Sequence, residues 1–114
     1  MVYFFDMQNK YLMVINTCPD AASAESMASL LVEKGLAACI NILPNIRSVY
    51  VWKGERVIGE EYLLLIKTLA SCYSELEETI RSRHPYELPE IIAVPIEAGL
   101  PEYLTWIADI RNEQ

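Results

Sequence analysis

IRSVYVWKGERVIGEEYLLLIKT, residues 46–68, is the stretch from which the architecture of this chain can be worked out. Its first seven residues are mostly β-branched or aromatic, which is typical of a strand. The KGE triplet at 53–55 predicts a hairpin turn, and VIGEEYLLLIKT predicts the returning strand. Residues 63–66 are apolar at every position rather than at alternate ones. This pattern predicts burial on both faces, so we expect the returning strand to be central in its sheet.

Two segments near the start of the chain supply the first strand and the first helix. YLMVI, residues 11–15, is a second continuous apolar run and predicts another central strand. Apolar residues then recur at helical spacing over about residues 20–34, which predicts an amphipathic helix. A capping box formed by Thr17 and Asp20 is the expected start of that helix.

The remaining segments complete one alternating pattern. LAACINIL, residues 36–43, predicts the strand that leads into the hairpin, and Pro44-Asn45 predicts a bulge, a bend or an edge position. A second helix is expected at about 72–83 and ends where His84 precedes a proline. IIAVPIE, residues 91–97, predicts a fourth strand whose internal proline suits a sheet edge. Pro101 opens a short last helix.

The order of these elements is β-α-β-β-α-β followed by an additional C-terminal helix. This is the split βαβ, ferredoxin-like plait of the α+β class. That fold places strands one and three in the centre of the sheet, which is where the two continuous apolar runs fall. We expect one domain over residues 1–114, with residues 1–10 as an N-terminal extension.

Composition narrows the range of partners and compartments. The net charge of −7 disfavours nucleic acid and suits a cationic ligand. No apolar run reaches the length of about 18 residues that a membrane span needs. An odd cysteine count and an N-terminus too polar for a secretory signal favour a reducing compartment, so the expected location is cytoplasmic. The three cysteines are Cys18, Cys39 and Cys72.

The second strand raises the question of oligomeric state. It is expected at a sheet edge, yet it is long and rich in Ile, Val, Tyr and Trp, and a long apolar edge needs a partner or a cover. The C-terminal helix is one candidate cover. The interpretation that we favour is an oligomer in which hairpin strands of different subunits pair.

Four separated motifs resemble those of the CutA divalent-cation-tolerance family. They are LAACINILPNIRSVYVWKGE, EEYLLLIKT, HPYELPEIIAVPI and YLTWI, and with the intervening sequence the resemblance covers residues 11–107. The resemblance implies a ferredoxin-like subunit and a homotrimer held together by long β-hairpins, similar in shape to the PII signalling proteins. It also implies a role in tolerance of divalent metals, with Cu(II) bound by some members.

The same resemblance suggests metal ligands. The histidine of the HPY motif and the glutamate of the PE motif correspond to His84 and Glu90. Some members carry a cysteine where this chain has Asn16. Cys18 lies two residues further along the strand, on the same face, and is the candidate replacement. Imidazole and carboxylate together suit Cu(II), Ni(II) or Zn(II), with copper favoured by the Irving–Williams order.

Further candidate pocket residues are polar or aromatic side chains at strand or loop positions. Glu61 and Lys67 share one strand face, either as a solvated strand end or as part of a polar cleft. Trp52 and Tyr86 either pack or stack on a ligand. His84 itself has a second interpretation, as a structural histidine that forms hydrogen bonds at the end of a helix.

Three classes of function remain in view. The first is a metal-binding tolerance protein, the second a PII-like regulatory trimer that binds a small metabolite between subunits, and the third a trimeric scaffold. Catalysis is disfavoured, because the chain has no nucleophile elbow or P-loop and only four glycines. The sequence and the resemblance together therefore predict a non-enzymatic, Cu(II)-binding homotrimer.

Overall fold

The computed structural model describes residues 10–110, and the predicted order of elements is confirmed there. The N-terminal extension, except for Lys10, lies outside the described residues. The elements are β1 (Tyr11–Cys18), α1 (Ala21–Glu33), β2 (Cys39–Trp52), β3 (Glu55–Leu69), a 3₁₀ turn (Ala70–Cys72), α2 (Tyr73–Arg83), β4 (Ile91–Pro95) and α3 (Pro101–Ala108).

The four strands form one antiparallel sheet in the order β2-β3-β1-β4. The two strands with continuous apolar runs, β1 and β3, are the central ones, as predicted. Both helices α1 and α2 pack on one face of the sheet, where strand alternation directs a fully buried set of side chains. The strand members of this set are Leu12, Val14, Cys18, Leu64 and Ile66.

Strands β2 and β3 form a hairpin that is longer than the rest of the sheet. Pairing between β1 and β3 ends at Tyr62, whereas pairing between β2 and β3 continues to Trp52 and Glu55. The hairpin tip therefore projects from the sheet. Lys53 and Gly54 form its two-residue turn with φ of 50° and 82°, the left-handed backbone that such turns require.

Pro44-Asn45 predicted a bulge, a bend or an edge position, and the structure has a bulge there in an edge strand. The register between β2 and β3 shifts between Leu43 and Ile46, and Asn45 has a φ of 58°. After this shift, Ile46 lies opposite Glu61. The bulge therefore turns the hairpin so that Glu61 shares a face with the β2 residues that follow at alternate positions.

The helix boundaries follow local chemistry, with one correction. Asp20 is the N-cap of α1, and its Oδ1 accepts a hydrogen bond of 2.7 Å from the Ser23 amide. The capping box with Thr17 is wrong, because Thr17 still belongs to β1, where it pairs with Leu63. The second helix, α2, ends at Arg83, as predicted.

The sheet face opposite α1 and α2 is apolar and partly open. Ile92 is 50% exposed, and Leu43 and Val94 are also exposed. The α3 helix contacts β3 and β1, yet the apolar side chains of the hairpin remain exposed, so it does not cover that edge. These exposed side chains are Val49, Tyr50, Val51, Trp52 and Ile58. Over the described residues, no helix has the length and apolar content to cross a membrane.

Candidate functional site: an acidic cavity beside the hairpin

A cavity of about 620 Å³ lies between the hairpin and the loop that follows α2. Three distant parts of the chain form it: the end of β1, the hairpin strands, and the segment 85–90. Its volume falls within the range of about 300–1,000 Å³ that is usual for small-molecule sites. The lining residues are Thr17, Ser48, Val49, Tyr50, Trp52, Glu61, Pro85, Tyr86, Glu87, Leu88 and Glu90.

Carboxylates dominate the chemistry of this cavity. Glu61, Glu87 and Glu90 line it, and no lysine, arginine or histidine is among the described lining residues. Glu61 is 7% exposed, and its Oε2 accepts a hydrogen bond of 2.8 Å from the Tyr86 hydroxyl. Burial, followed by the neighbouring Glu61, raises the pKa of Tyr86, so the phenol stays protonated and donates. The cavity therefore attracts cations.

His84 lies behind the cavity wall and holds the loop in place. Its Nε2 is 2.7 Å from the Thr17 carbonyl, and its Nδ1 accepts a hydrogen bond of 3.1 Å from the Tyr86 amide. Because a carbonyl only accepts, the two contacts together assign the proton to Nε2. The imidazole also contacts the Tyr86 ring, with 4.8 Å between centroids and a tilt of 51° between the ring planes. Both ring nitrogens are thus engaged by the backbone.

Cys18 is close to His84 and is buried. Its Sγ is 3.9 Å from His84 Nε2 and 3.6 Å from Asn16 Oδ1, to which the thiol donates. Burial, assisted by the carboxylates of Asp20 and Glu61, raises the pKa of Cys18 to about 11. The side chain is therefore a neutral thiol near neutral pH, whereas metal ligation uses the thiolate.

Asn16 fixes the far end of the same loop. It is fully buried, and its Nδ2 donates a hydrogen bond of 2.9 Å to the carbonyl of Glu90. The loop is thus held at its start by His84, in its middle by Tyr86 and at its end by Asn16. Such preorganisation reduces the entropy lost when a ligand binds.

The structure distributes the predicted site residues over three places. Trp52, Glu61, Tyr86 and Glu90 line the cavity. Asn16, Cys18 and His84 support it from behind. Lys67 is outside the lining and bonds to the Asn41 side chain instead.

Some of the residues that line the cavity were not singled out from the sequence. The predicted metal ligands also do not form a complete metal site among the described residues. Glu87, Leu88 and Ser48 line the cavity, and the ELPE run gave the only sequence signal for Glu87. Over residues 10–110, no three His, Cys, Asp or Glu side chains are grouped closely enough to hold a metal ion.

The sheet order and the helices on one face define a ferredoxin-like α+β protein with an acidic cavity beside its hairpin. Residues 12–110 match the family model of the CutA1 divalent ion tolerance protein. The chain belongs to this family.

Comparison with individual proteins agrees with that assignment. The chain is 51% identical over 97 residues to the protein CutA homolog of Xenopus laevis, covering 85% of this chain and 64% of that protein. It is 45% identical over 96 residues to the divalent-cation tolerance protein CutA of Thermus thermophilus, covering 84% and 93%. The crystal structure of CutA1 from Oryza sativa superimposes with a TM-score of 0.87 at 38% identity, covering 89% of this chain and 93% of that one. This chain thus spans less than two thirds of the frog relative.

Proposed function

We propose that this protein is a homotrimeric, non-catalytic divalent-cation-binding protein of the cytoplasm, with Cu(II) as the principal metal. The observation that carries the proposal is an acidic cavity, lined by the carboxylates of Glu61, Glu87 and Glu90 without a cationic side chain among its described lining residues. Membership of a divalent-cation-tolerance family supports it independently. The cytoplasmic location is supported by the free thiols of Cys18, Cys39 and Cys72.

The donor set decides which metal the cavity suits. Carboxylate oxygens alone suit Mg²⁺ or Mn²⁺, whereas an imidazole nitrogen favours copper. His84 can supply that nitrogen only by giving up its contact with Thr17 or with the Tyr86 amide. Copper binding therefore requires a local rearrangement of the loop, with water or a neighbouring subunit completing the coordination of Glu90 and Glu61.

Titration with two metals tests this proposal. We expect the His84→Gln substitution to weaken Cu(II) binding by at least about tenfold while leaving Mn(II) binding nearly unchanged, because only copper depends on the imidazole. Isothermal titration calorimetry of each metal measures both effects. The control is Glu102→Gln, which removes an exposed carboxylate of α3 outside the cavity.

Two results would contradict the proposal. Equal Cu(II) affinity of wild type and His84→Gln would remove His84 from the site. Absence of specific binding of either metal to the wild-type protein would reject the function itself. Far-UV circular dichroism of each variant separates loss of binding from loss of fold.

The open sheet face supports the homotrimer. Ile92, Val94 and Leu43 are exposed on the side of the sheet opposite α1 and α2, in addition to the apolar hairpin. Burial of such a surface stabilises an assembly by about 25 cal/mol per Å². Light scattering coupled to size exclusion is expected to give three times the 13.0 kDa of one chain. A stable monomer at micromolar concentration would rule out the trimer.

A PII-like role in binding a small metabolite is the second candidate function. One observation favours it: the cavity volume of about 620 Å³ is far larger than a single ion needs. Aromatic side chains also form part of the wall, which suits an organic ligand more than a bare ion.

A further inference from the structure

Within one subunit, the carboxylate of Glu61 is buried, which is electrostatically unfavourable. Its side chain is only 7% exposed, and no cationic side chain among residues 10–110 lies within salt-bridge distance of it. The Tyr86 hydroxyl satisfies one carboxylate oxygen with a neutral hydrogen bond. A buried carboxylate without a cationic partner is costly, and such a group in a cavity marks a candidate site for a ligand that supplies the opposite charge.

The walls around Glu61 are aromatic as well as acidic. Tyr50 and Trp52 are two residues apart on β2, so their side chains lie on the same face of the strand. Both line the cavity. Tyr86 lines it from the opposite segment. The negative face of an aromatic ring attracts organic cations, and the attraction is strongest where the cation is desolvated.

The chain already places one alkylammonium group in this chemical setting. Lys53 Nζ is 3.8 Å from the carboxylate of Glu87 and 5.8 Å from the centre of the Trp52 ring. Both Glu87 and Trp52 line the cavity. The Lys53–Glu87 pair is exposed, with 72% and 75% of the two side chains accessible, so it contributes little stability. It nevertheless shows that a carboxylate and an aromatic ring at the cavity mouth are spaced to hold an ammonium group together.

We infer that the cavity binds an organic cation, a primary ammonium or guanidinium group carried on an apolar or aromatic body. The cationic group pairs with Glu61, and the body lies against Tyr50 and Trp52. This assignment rests on the second candidate function, metabolite binding, and names its ligand class. It does not rest on metal binding, because the cavity can take the organic cation without any change at His84.

Size and charge together distinguish this ligand from the alternatives. A metal ion would leave most of the cavity volume to water, whereas a ligand with an aromatic body also contacts the apolar lining of Val49 and Leu88. An anionic or zwitterionic ligand would bring negative charge towards three carboxylates. A neutral ligand would leave the charge of Glu61 without a partner.

A matched pair of probes tests the inference. Benzylamine and benzyl alcohol have nearly the same size, but only benzylamine is charged near neutral pH. In buffer containing EDTA, we expect benzylamine to bind roughly 10- to 100-fold more tightly, the ratio that corresponds to hydrogen bonds with a charged group. Ligand-observed NMR titration suits weak affinities and measures both probes. EDTA removes divalent metals, so this result is independent of the copper titration.

Two variants locate the binding. Glu61→Gln removes the charge but keeps an oxygen for the Tyr86 hydroxyl, and it is expected to abolish the preference for benzylamine. Glu102→Gln, outside the cavity, is expected to keep that preference. Circular dichroism confirms that each variant is folded.

The inference is overturned by any of three results. Benzylamine fails to bind the wild-type protein, the two probes bind equally to it, or a folded Glu61→Gln protein keeps the preference. The probe comparison on the wild-type protein does not require that either variant folds. Failure in EDTA together with normal Cu(II) binding would reject the organic ligand and retain the metal-binding function.

Discussion

The Asn16→Asp substitution is expected to lower the free energy of unfolding by about 3–5 kcal/mol near neutral pH, the usual cost of an uncompensated buried charge. Asn16 is fully buried, and its amide donates to the Glu90 carbonyl. The substitution replaces that donor with an oxygen, so two acceptors face each other. It also places a negative charge beside the buried thiol of Cys18. Urea denaturation followed by circular dichroism measures the loss.

The pH dependence of this loss has a defined sign. Burial raises the pKa of the new carboxyl in the folded state above its unfolded value of about 3.9. The penalty therefore grows as the pH rises above the unfolded-state pKa, where folding must take up a proton, and is largest above the folded-state pKa, where folding buries the charge. Below about pH 4 the carboxyl is protonated in both states, and the penalty falls towards that of a lost hydrogen bond, about 1–3 kcal/mol.

Asn41→Asp is the matched control for this experiment. Asn41 is exposed and accepts a hydrogen bond from Lys67, so a carboxylate there gains a cationic partner. We expect a change within about 0.5 kcal/mol, as is usual for surface substitutions. Equal stability of the Asn16→Asp and Asn41→Asp proteins near neutral pH would contradict the assigned role of Asn16 as the anchor of the cavity loop.

The Ile92→Lys substitution is expected to have the second large effect, on assembly rather than on folding. Ile92 is 50% exposed within one subunit, so a lysine is tolerated in the monomer. In the proposed trimer, the open sheet face is covered and each of three new ammonium groups loses water without a partner, at about 3–5 kcal/mol per group. We expect the mass from light scattering to fall from three chains towards the 13.0 kDa of one.

Ser29→Lys controls for the added charge. Ser29 is exposed on α1, away from the open sheet face, and a lysine there introduces the same charge. The expected result is an unchanged mass. If the Ile92→Lys protein also keeps the mass of three chains, the open face containing Ile92 and Val94 is not the subunit contact, and a trimer would have to be held by other surfaces.

Local sequence patterns were sufficient for the order and arrangement of the elements. Uninterrupted apolar runs at 11–15 and 63–66 predicted the central strands, because burial on both faces removes the need for polar alternation. Pro95 predicted an edge strand because it cannot donate to a second neighbour, and β4 is an edge. Pro44-Asn45 predicted a bulge, a bend or an edge position for the same kind of local reason, and β2 has both the bulge and the edge position.

The sequence was a weaker guide to the site. Glu61 and Lys67 were correctly predicted to share a strand face, but six residues of strand separate them by about 20 Å, so only Glu61 reaches the cavity. The Thr17 capping box failed because β1 pairing extends to Cys18 and leaves Asp20 as the cap. In that case sheet hydrogen bonds prevailed over a local capping preference.

The sequence by itself thus determined the fold, the central strands and the residues from which a site could be made. Only the tertiary structure decided that Asn16 holds the Glu90 carbonyl, and that His84 in the HPY motif directs both ring nitrogens to the backbone. The physical reason is distance along the chain. Secondary structure is set by periodicity over a few residues, whereas the partner of a buried polar group is set by packing, and here those partners are 67 and 74 residues apart.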